Sequence, residues 1–353
     1  MKRCKSLWLI VLIAGTVALT ACGGGGGGGG GGTTVPDTFA AFGTPTQLSN
    51  PSGGNFSAAV AINDGGTVVG LADAPTDINK AALWTVDAGA VELSARVLES
   101  LDNSYSAAYA VDDAGNTVGE SSNGAGIVPV IWPVGLTTAS PLPLLAGPNG
   151  AAYSINAAGA IAGEAQDANL NMVAVVWSNS AAAPGALAGL GGPSSAAYYL
   201  NDSAEAVGEA EDVNGVKQAA FWDLTTAAVT PLPMLNATDT AGIALSINLA
   251  GEIAGEVELA DGTRSAVLWR PDGGGGYTAT DLGPTGAAAI NNGFRIVGNA
   301  ADTAVVWDTR SAVISNNNLV VSAVGGVSQA YGLNDDNLVV GIRAGRAFVV
   351  APQ

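Results

Sequence analysis

Four glutamates, Glu120, Glu164, Glu209 and Glu256, each stand directly after a glycine that recurs through the chain. If the chain folds with rotational symmetry, that spacing puts four carboxylates on one arc at equal radius. Such an arc suits Ca²⁺, which takes carboxylate and carbonyl oxygens. No loop carries the Asp-x-Asp-x-Asp-Gly spacing of a calcium loop, so a solvated acidic face is the simpler reading, with Ca²⁺ as a candidate occupant and no other cofactor expected. Two of these carboxylates in one cleft would also suit acid–base hydrolysis of a polysaccharide. The chain has no His, which removes imidazole-based triads and imidazole metal sites. No serine sits in a Gly-x-Ser-x-Gly elbow.

The elements that position these residues come from a repeat. An Ala-rich run ends in Asn or Asp, a Gly follows seven residues later, and a Trp or Phe closes the unit. The anchors are Asn63, Asp112, Asn156, Asn201, Asn248, Asn291 and Asn334, paired with Gly70, Gly119, Gly163, Gly208, Gly255, Gly298 and Gly341. The aromatic slot holds Trp84, Trp132, Trp177, Trp222, Trp269, Trp307 and Phe348. Spacing of 43 to 49 residues between anchors marks a radial or stacked repeat architecture. Each unit divides into four short β-type segments bounded by turn residues, which is what a propeller blade requires. The expectation is an all-β, seven-bladed β-propeller of four-stranded blades over residues 41–353. Ala at the inner strands suits crowding at the axis, the repeat Gly suits close backbone approach, and the aromatic slot suits packing of blade on blade.

The seventh unit stops after its third segment, at Phe348-Val349-Val350. Phe42 to Leu48 resembles the fourth segments of other units, so the N-terminal strand is expected to complete the last blade and leave no edge open. An open superhelical array is the alternative, and it leaves those edges exposed.

Ile62-Asn63 through Gly70, Ile155-Asn156 through Gly163, Ala220-Phe221-Trp222 and Arg346-Ala347-Phe348 make the repeat resemble the HAF-type extracellular repeats of bacterial surface and secreted proteins. The resemblance covers nearly all of residues 57–350 and implies an exported repeat domain of poorly defined function. The His that gives that family its name is missing from every copy.

The amino terminus reads as an export signal. Lys2, Arg3 and Lys5 precede an apolar run from Leu7 to Leu19 that is too short for a spanning helix. Leu19-Thr20-Ala21-Cys22 resembles the lipobox of bacterial lipoproteins. That resemblance implies a signal peptide over 1–21, lipidation of Cys22, and anchoring to a membrane without crossing it. Gly23 rather than Asp after the cysteine favours the outer membrane. Ten glycines, Gly23 to Gly32, can bury nothing and make residues 22–40 a tether, with a root-mean-square reach of roughly 25 Å.

Thirty acidic residues stand against 12 basic ones, for a formal charge of -18. This excludes nucleic acid as a partner, because phosphate binding needs the Lys and Arg that the chain lacks. Cys4 leaves with the signal and Cys22 carries lipid, so the folded domain has no disulfide. The function expected is a lipid-anchored, monomeric binding or scaffolding module of the cell envelope, presenting acidic loops on one face to an envelope protein or glycan. The alternatives are the polysaccharide hydrolase above, or an envelope-assembly factor that holds peptide segments.

Overall fold

The computed structural model describes residues 42–284, 286–300, 303–310, 315–318 and 328–353. The expected signal peptide, the Cys22 lipidation site and the glycine tether lie outside these residues. Seven antiparallel sheets of four strands each are arranged as blades, and no helix occurs among the described residues. The innermost strands are Ser57–Ile62, Ser106–Val111, Gly150–Ile155, Gly191–Leu200, Ala241–Ile247, Gly286–Ile290 and Ser328–Leu333. Blades 1 to 6 run inner to outer in chain order.

Blade 7 takes its outer strand from the other end of the chain. Thr46 and Gln47 pair with Val349 and Phe348, Phe42 bridges Pro352, and the Gly43 amide donates to the Ala351 carbonyl at 2.9 Å. The two ends of the described chain therefore lock into one sheet, as the missing fourth segment predicts. The ring is closed and the open array is ruled out.

The repeat glycine has a backbone reason. Every inner strand carries a one-residue register shift just before its Asn or Asp, as between Ala59 and Ala61 in blade 1 or Ala152 and Ser154 in blade 3. This bulge drives the inner strand against its neighbour. A Cβ added at Gly163 would stand 2.1 Å from the Ala151 carbonyl oxygen, and one at Gly341 would stand 1.8 Å from that of Gln329. No side chain fits there. The bulged residue itself turns to the axis, so that Tyr109, Tyr153 and Tyr331 join the inner-strand alanines in one buried cluster.

The aromatic slot ties neighbouring blades. Trp84, Trp132, Trp177, Trp222, Trp269, Trp307 and Phe348 are all fully buried. The indole N–H of Trp84 donates to the Ser49 carbonyl at 2.7 Å, and those of Trp132, Trp177, Trp222 and Trp269 donate to Glu99, Pro143, Ala188 and Pro233. Each acceptor lies on the connection leaving the preceding blade. One residue before each acceptor is a leucine for Leu48, Leu98, Leu142, Leu187 and Leu232, and its amide bonds back to a third-strand carbonyl.

The Asn anchors make a second tie. Asn248 Oδ1 accepts from the Glu252 amide at 2.9 Å, closing the turn between first and second strands. Its Nδ2 crosses to the Asn291 carbonyl of the next blade at 3.3 Å. Asn63, Asn156, Asn201, Asn291 and Asn334 make the same crossing, to the carbonyls of Asp112, Asn201, Asn248, Asn334 and Asn63. The result is a belt of amide hydrogen bonds around one end of the axis.

Asn248→Ala removes three bonds of a buried side chain, to the Ala250 and Glu252 amides and the Asn291 carbonyl, and leaves those partners without it. The expected loss is about 1–3 kcal/mol of unfolding free energy, read as a lower urea midpoint. Gly163→Ala has no room to fold unchanged and should lower the midpoint further, whereas the exposed turn variant Ala158→Ser should leave it in place.

Candidate functional site at the axial mouth

Beside the belt the seven first-to-second-strand turns enclose a mouth of about 160 Å³, lined by residues of every blade. The residue after each anchor rims it: Asp64, Asp113, Ala157, Asp202, Leu249, Asn292 and Asp335. Four of these are carboxylates, and all four are exposed. Their orientation is set by a second circle of hydrogen bonds. The amide of one rim residue donates to the side chain of the next wherever that side chain can accept: Asp64 to Asp113, Ala157 to Asp202, Leu249 to Asn292, Asn292 to Asp335 and Asp335 to Asp64, at 2.8 to 3.2 Å.

Tyr199 enters the same mouth from blade 4. Tyr199 keeps 37% of its surface exposed; partial desolvation in the mouth, and then the charges of Asp335, Asp202, Asp113 and Asp64, push its phenol up to about 12. Desolvation raises Asp64 above the usual carboxylate range. The Asp335 amide pulls it back, while the charges of Asp335, Asp113 and Asp336 push it further up. The mouth is thus a concave site of negative potential with one aromatic hydroxyl, suited to a cationic group.

The four glutamates of the repeat lie elsewhere. They sit within the second strands, one residue past the repeat Gly, rather than on the loops of the rim. Pairing of second with third strands continues past them, as Glu120 with Pro129 and Glu164 with Ala174 show. Their side chains are taken up along the axis. Glu120 is fully buried and accepts from Tyr105 and Tyr109 hydroxyls at 2.6 and 2.9 Å. Glu164 accepts from Tyr153 at 2.9 Å, Tyr198 bonds to Glu209, and Glu209 pairs with Lys217. Glu256 meets Arg264 at 3.0 Å; burial pushes its carboxyl up while the guanidinium draws it down.

The tyrosines form their own row, with ring centroids 5.6 Å apart for Tyr109 and Tyr153 and 5.4 Å for Tyr153 and Tyr198. Desolvation, followed by the adjoining glutamates, holds all three phenols well above their ordinary value. The arc suggested by the repeat is therefore a set of hydrogen-bonded and ion-paired carboxylates against aromatic rings. No cluster of three or more acidic, His or Cys side chains arranged to hold a metal ion occurs among the described residues.

The rim aspartates are the functional candidates that the repeat glutamates overshadowed in the sequence. Their signal was present in the pairs Asn63-Asp64, Asp112-Asp113, Asn201-Asp202 and Asn334-Asp335. Such pairs read as ordinary turn chemistry, and only ring closure brings them to a single mouth.

No protein-family model matches the chain, and no curated protein matches it either. Its likeness is to solved propellers. "YCF48 bound to D1 peptide" aligns with a TM-score of 0.56 and 15% identity over 91% of this chain and 100% of that one. A chain of the "Mitotic Checkpoint Complex" aligns at 0.54 and 12%, over 92% and 98%. TolB from Acinetobacter baumannii aligns at 0.52 and 13%, over 81% of this chain and 63% of its own, so this chain spans less than two thirds of that protein. At these identities the likeness defines the class of fold, a closed β-propeller.

Asp64→Asn keeps an Oδ1 acceptor for the Asp335 amide and removes one charge from the mouth. Because the folded state raises the Asp64 pKa, its ionised form costs stability above that pKa, and the cost fades as pH falls through it towards 3.8. The variant is expected to melt above the parent at pH 7, with the difference shrinking on acidification, as followed by calorimetry from pH 7 to pH 4.

Proposed function

We propose that this protein is an envelope-tethered binding module that seats a cationic group of a protein or peptide partner in the axial mouth. The observation that carries this reading is the rim itself: Asp64, Asp113, Asp202 and Asp335, drawn from four blades, surround one concave opening beside Tyr199. Such a rim favours a Lys or Arg side chain or an ammonium terminus, through charge complementarity and cation–π contact with the phenol ring. Among the similar folds, one is described as bound to a peptide and another as part of a complex, which supports a protein partner over a small metabolite. The envelope setting rests on the export signal and the lipobox-like Leu19-Thr20-Ala21-Cys22.

The anchor belongs to the same proposal. Lipid on Cys22 would hold the domain through the glycine tether, and Phe42 enters the fold beside Pro352, where the third strand of blade 7 ends. Third strands end on the face that carries the mouth. The described chain thus begins on the mouth face, and a lipid anchor upstream of it would set a partner at the mouth beside the headgroups.

The test is titration calorimetry of the domain with short peptides carrying two Lys or Arg residues, against sequence-matched peptides carrying Glu. Basic peptides are expected to bind with an affinity that falls as salt rises. Combining Asp64→Asn, Asp113→Asn, Asp202→Asn and Asp335→Asn should weaken them by at least tenfold without lowering the melting temperature. Equal affinity for acidic and basic peptides, or full retention in the fourfold variant, would overturn the reading.

A further inference from the structure

The links that close the ring on the mouth face are unevenly distributed. Blades 1 and 2 share two hydrogen bonds there, from Asn63 Nδ2 to the Asp112 carbonyl and from the Asp64 amide to Asp113. Blades 3 and 4 share the equivalent two, and Ser154 adds a third by accepting from the Leu200 amide at 3.2 Å. Blades 5 and 6 share the same set, with Ser246 accepting from Ile290. Blades 6 and 7, and 7 and 1, have both rim and belt bonds. Blades 4 and 5 keep the belt bond alone.

Among the described residues, no hydrogen bond joins blades 2 and 3 on this face. The reason is legible residue by residue. Asp112 replaces the anchor Asn, so the side chain facing the Asn156 carbonyl has no amide to donate. Both of its oxygens accept instead from Asn116, at 2.7 and 2.9 Å. Ala157 replaces the rim acceptor, so the Asp113 amide has no side chain to meet, and Ala110 stands where Ser154 and Ser246 carry hydroxyls. Near the opposite face this interface lacks the serine tie of its neighbours and is held instead by Asn149, whose Oδ1 accepts from the Ile127 amide at 3.1 Å. Ser57, Ser106 and Ser195 accept from third-strand amides of the preceding blade, but here the pair is Gly150 and Pro129, a residue with no hydroxyl and a residue with no N–H.

What joins blades 2 and 3 near the axis is apolar and aromatic: the contact of Tyr109 with Tyr153 and the cluster of Val118, Ile131, Ala152, Ile155 and Trp177. We infer that the propeller opens at its mouth along the seam between blades 2 and 3, a built-in hinge of an otherwise hydrogen-bonded ring. Apolar contact without directional bonds resists sliding and local parting less than a bonded belt does. Parting the blades there widens the mouth next to Asp113 and bares the Tyr109–Tyr153 contact with Glu120 beneath it. The inference rests on the closure bonds and stands whether or not the mouth binds a cation.

Amide hydrogen exchange by mass spectrometry tests it on the full folded domain. After correction for intrinsic rates, the turns 112–116 and 156–160 are expected to exchange at least tenfold faster than the corresponding turns 248–252 and 291–295 of blades 5 and 6. Asp112→Asn supplies the missing belt amide and Ala157→Asn the missing rim acceptor, the role Asn292 plays in blade 6. The double variant should slow the seam turns towards the rate of the others, and Ala157→Asn alone, at an exposed turn, should do so in part. Asn201→Asp, which removes the belt bond that stands alone between blades 4 and 5, should open a second fast seam there. Uniform exchange around the ring, or a folded double variant with unchanged seam rates, would overturn the hinge.

Discussion

The ring depends on a side-chain amide that faces two ways. In each anchor Asn the carbonyl oxygen closes its own blade's turn, while the amide nitrogen reaches a backbone carbonyl in the next blade, as Asn334 does in accepting from Leu338 and donating to Asn63. One buried residue thereby shapes a turn and fixes the angle to its neighbour. A propeller needs that angle repeated identically, because an error at one interface accumulates over seven and would keep the last blade from meeting the first. Ser, Thr or Asp can close the turn, but an ionised Asp only accepts and a hydroxyl does both from a single oxygen, whereas the primary amide puts acceptor and donor on two separate atoms.

This double duty explains why the rest of the blade looks as it does. With the turn held by the anchor, the bulge before it can press the inner strand outward, and the repeat Gly absorbs the approach. The bulged residues then meet at the axis, where blades 2 to 4 place tyrosines and the second strands answer with glutamates. Farther out, the buried indole of blades 1 to 5 binds the preceding connection, so an interface that also has its belt bond is tied at two radii. Neither tie requires a disulfide or charge, in keeping with a chain that carries 12 basic residues and no cysteine in its described part.

Much of this was legible in the sequence because its causes are local. Period, strand count, the close-approach glycine and the buried aromatic are each written within one repeat, and the borrowed strand shows as a missing segment at one end and a surplus one at the other. The site was less legible because it exists only between repeats. Glu120 and its equivalents stood out by regular spacing, and the structure sets them within the second strands, where Glu120 and Glu164 accept from Tyr109 and Tyr153. The rim aspartates are irregular, with Ala157, Leu249 and Asn292 breaking the series. Their convergence depends on ring closure, which no local pattern encodes.

That irregularity is where symmetry and function part. A repeat that served stability alone would keep an amide at every anchor and an acceptor at every rim position. Blades 6 and 7 come near that state, with Asn292 and Asp335 sharing two bonds. Blades 2 and 3 depart from it at both the anchor, Asp112, and the rim, Ala157, whereas blades 4 and 5 lose only the rim acceptor, at Leu249. The coincidence of Asp112 and Ala157 removes both the belt and the rim bond across a single seam, while Asp113 and Asp202 keep the rim negative to either side of Ala157. The same ring can then hold its mouth rigid over most of its circumference and yield at one place.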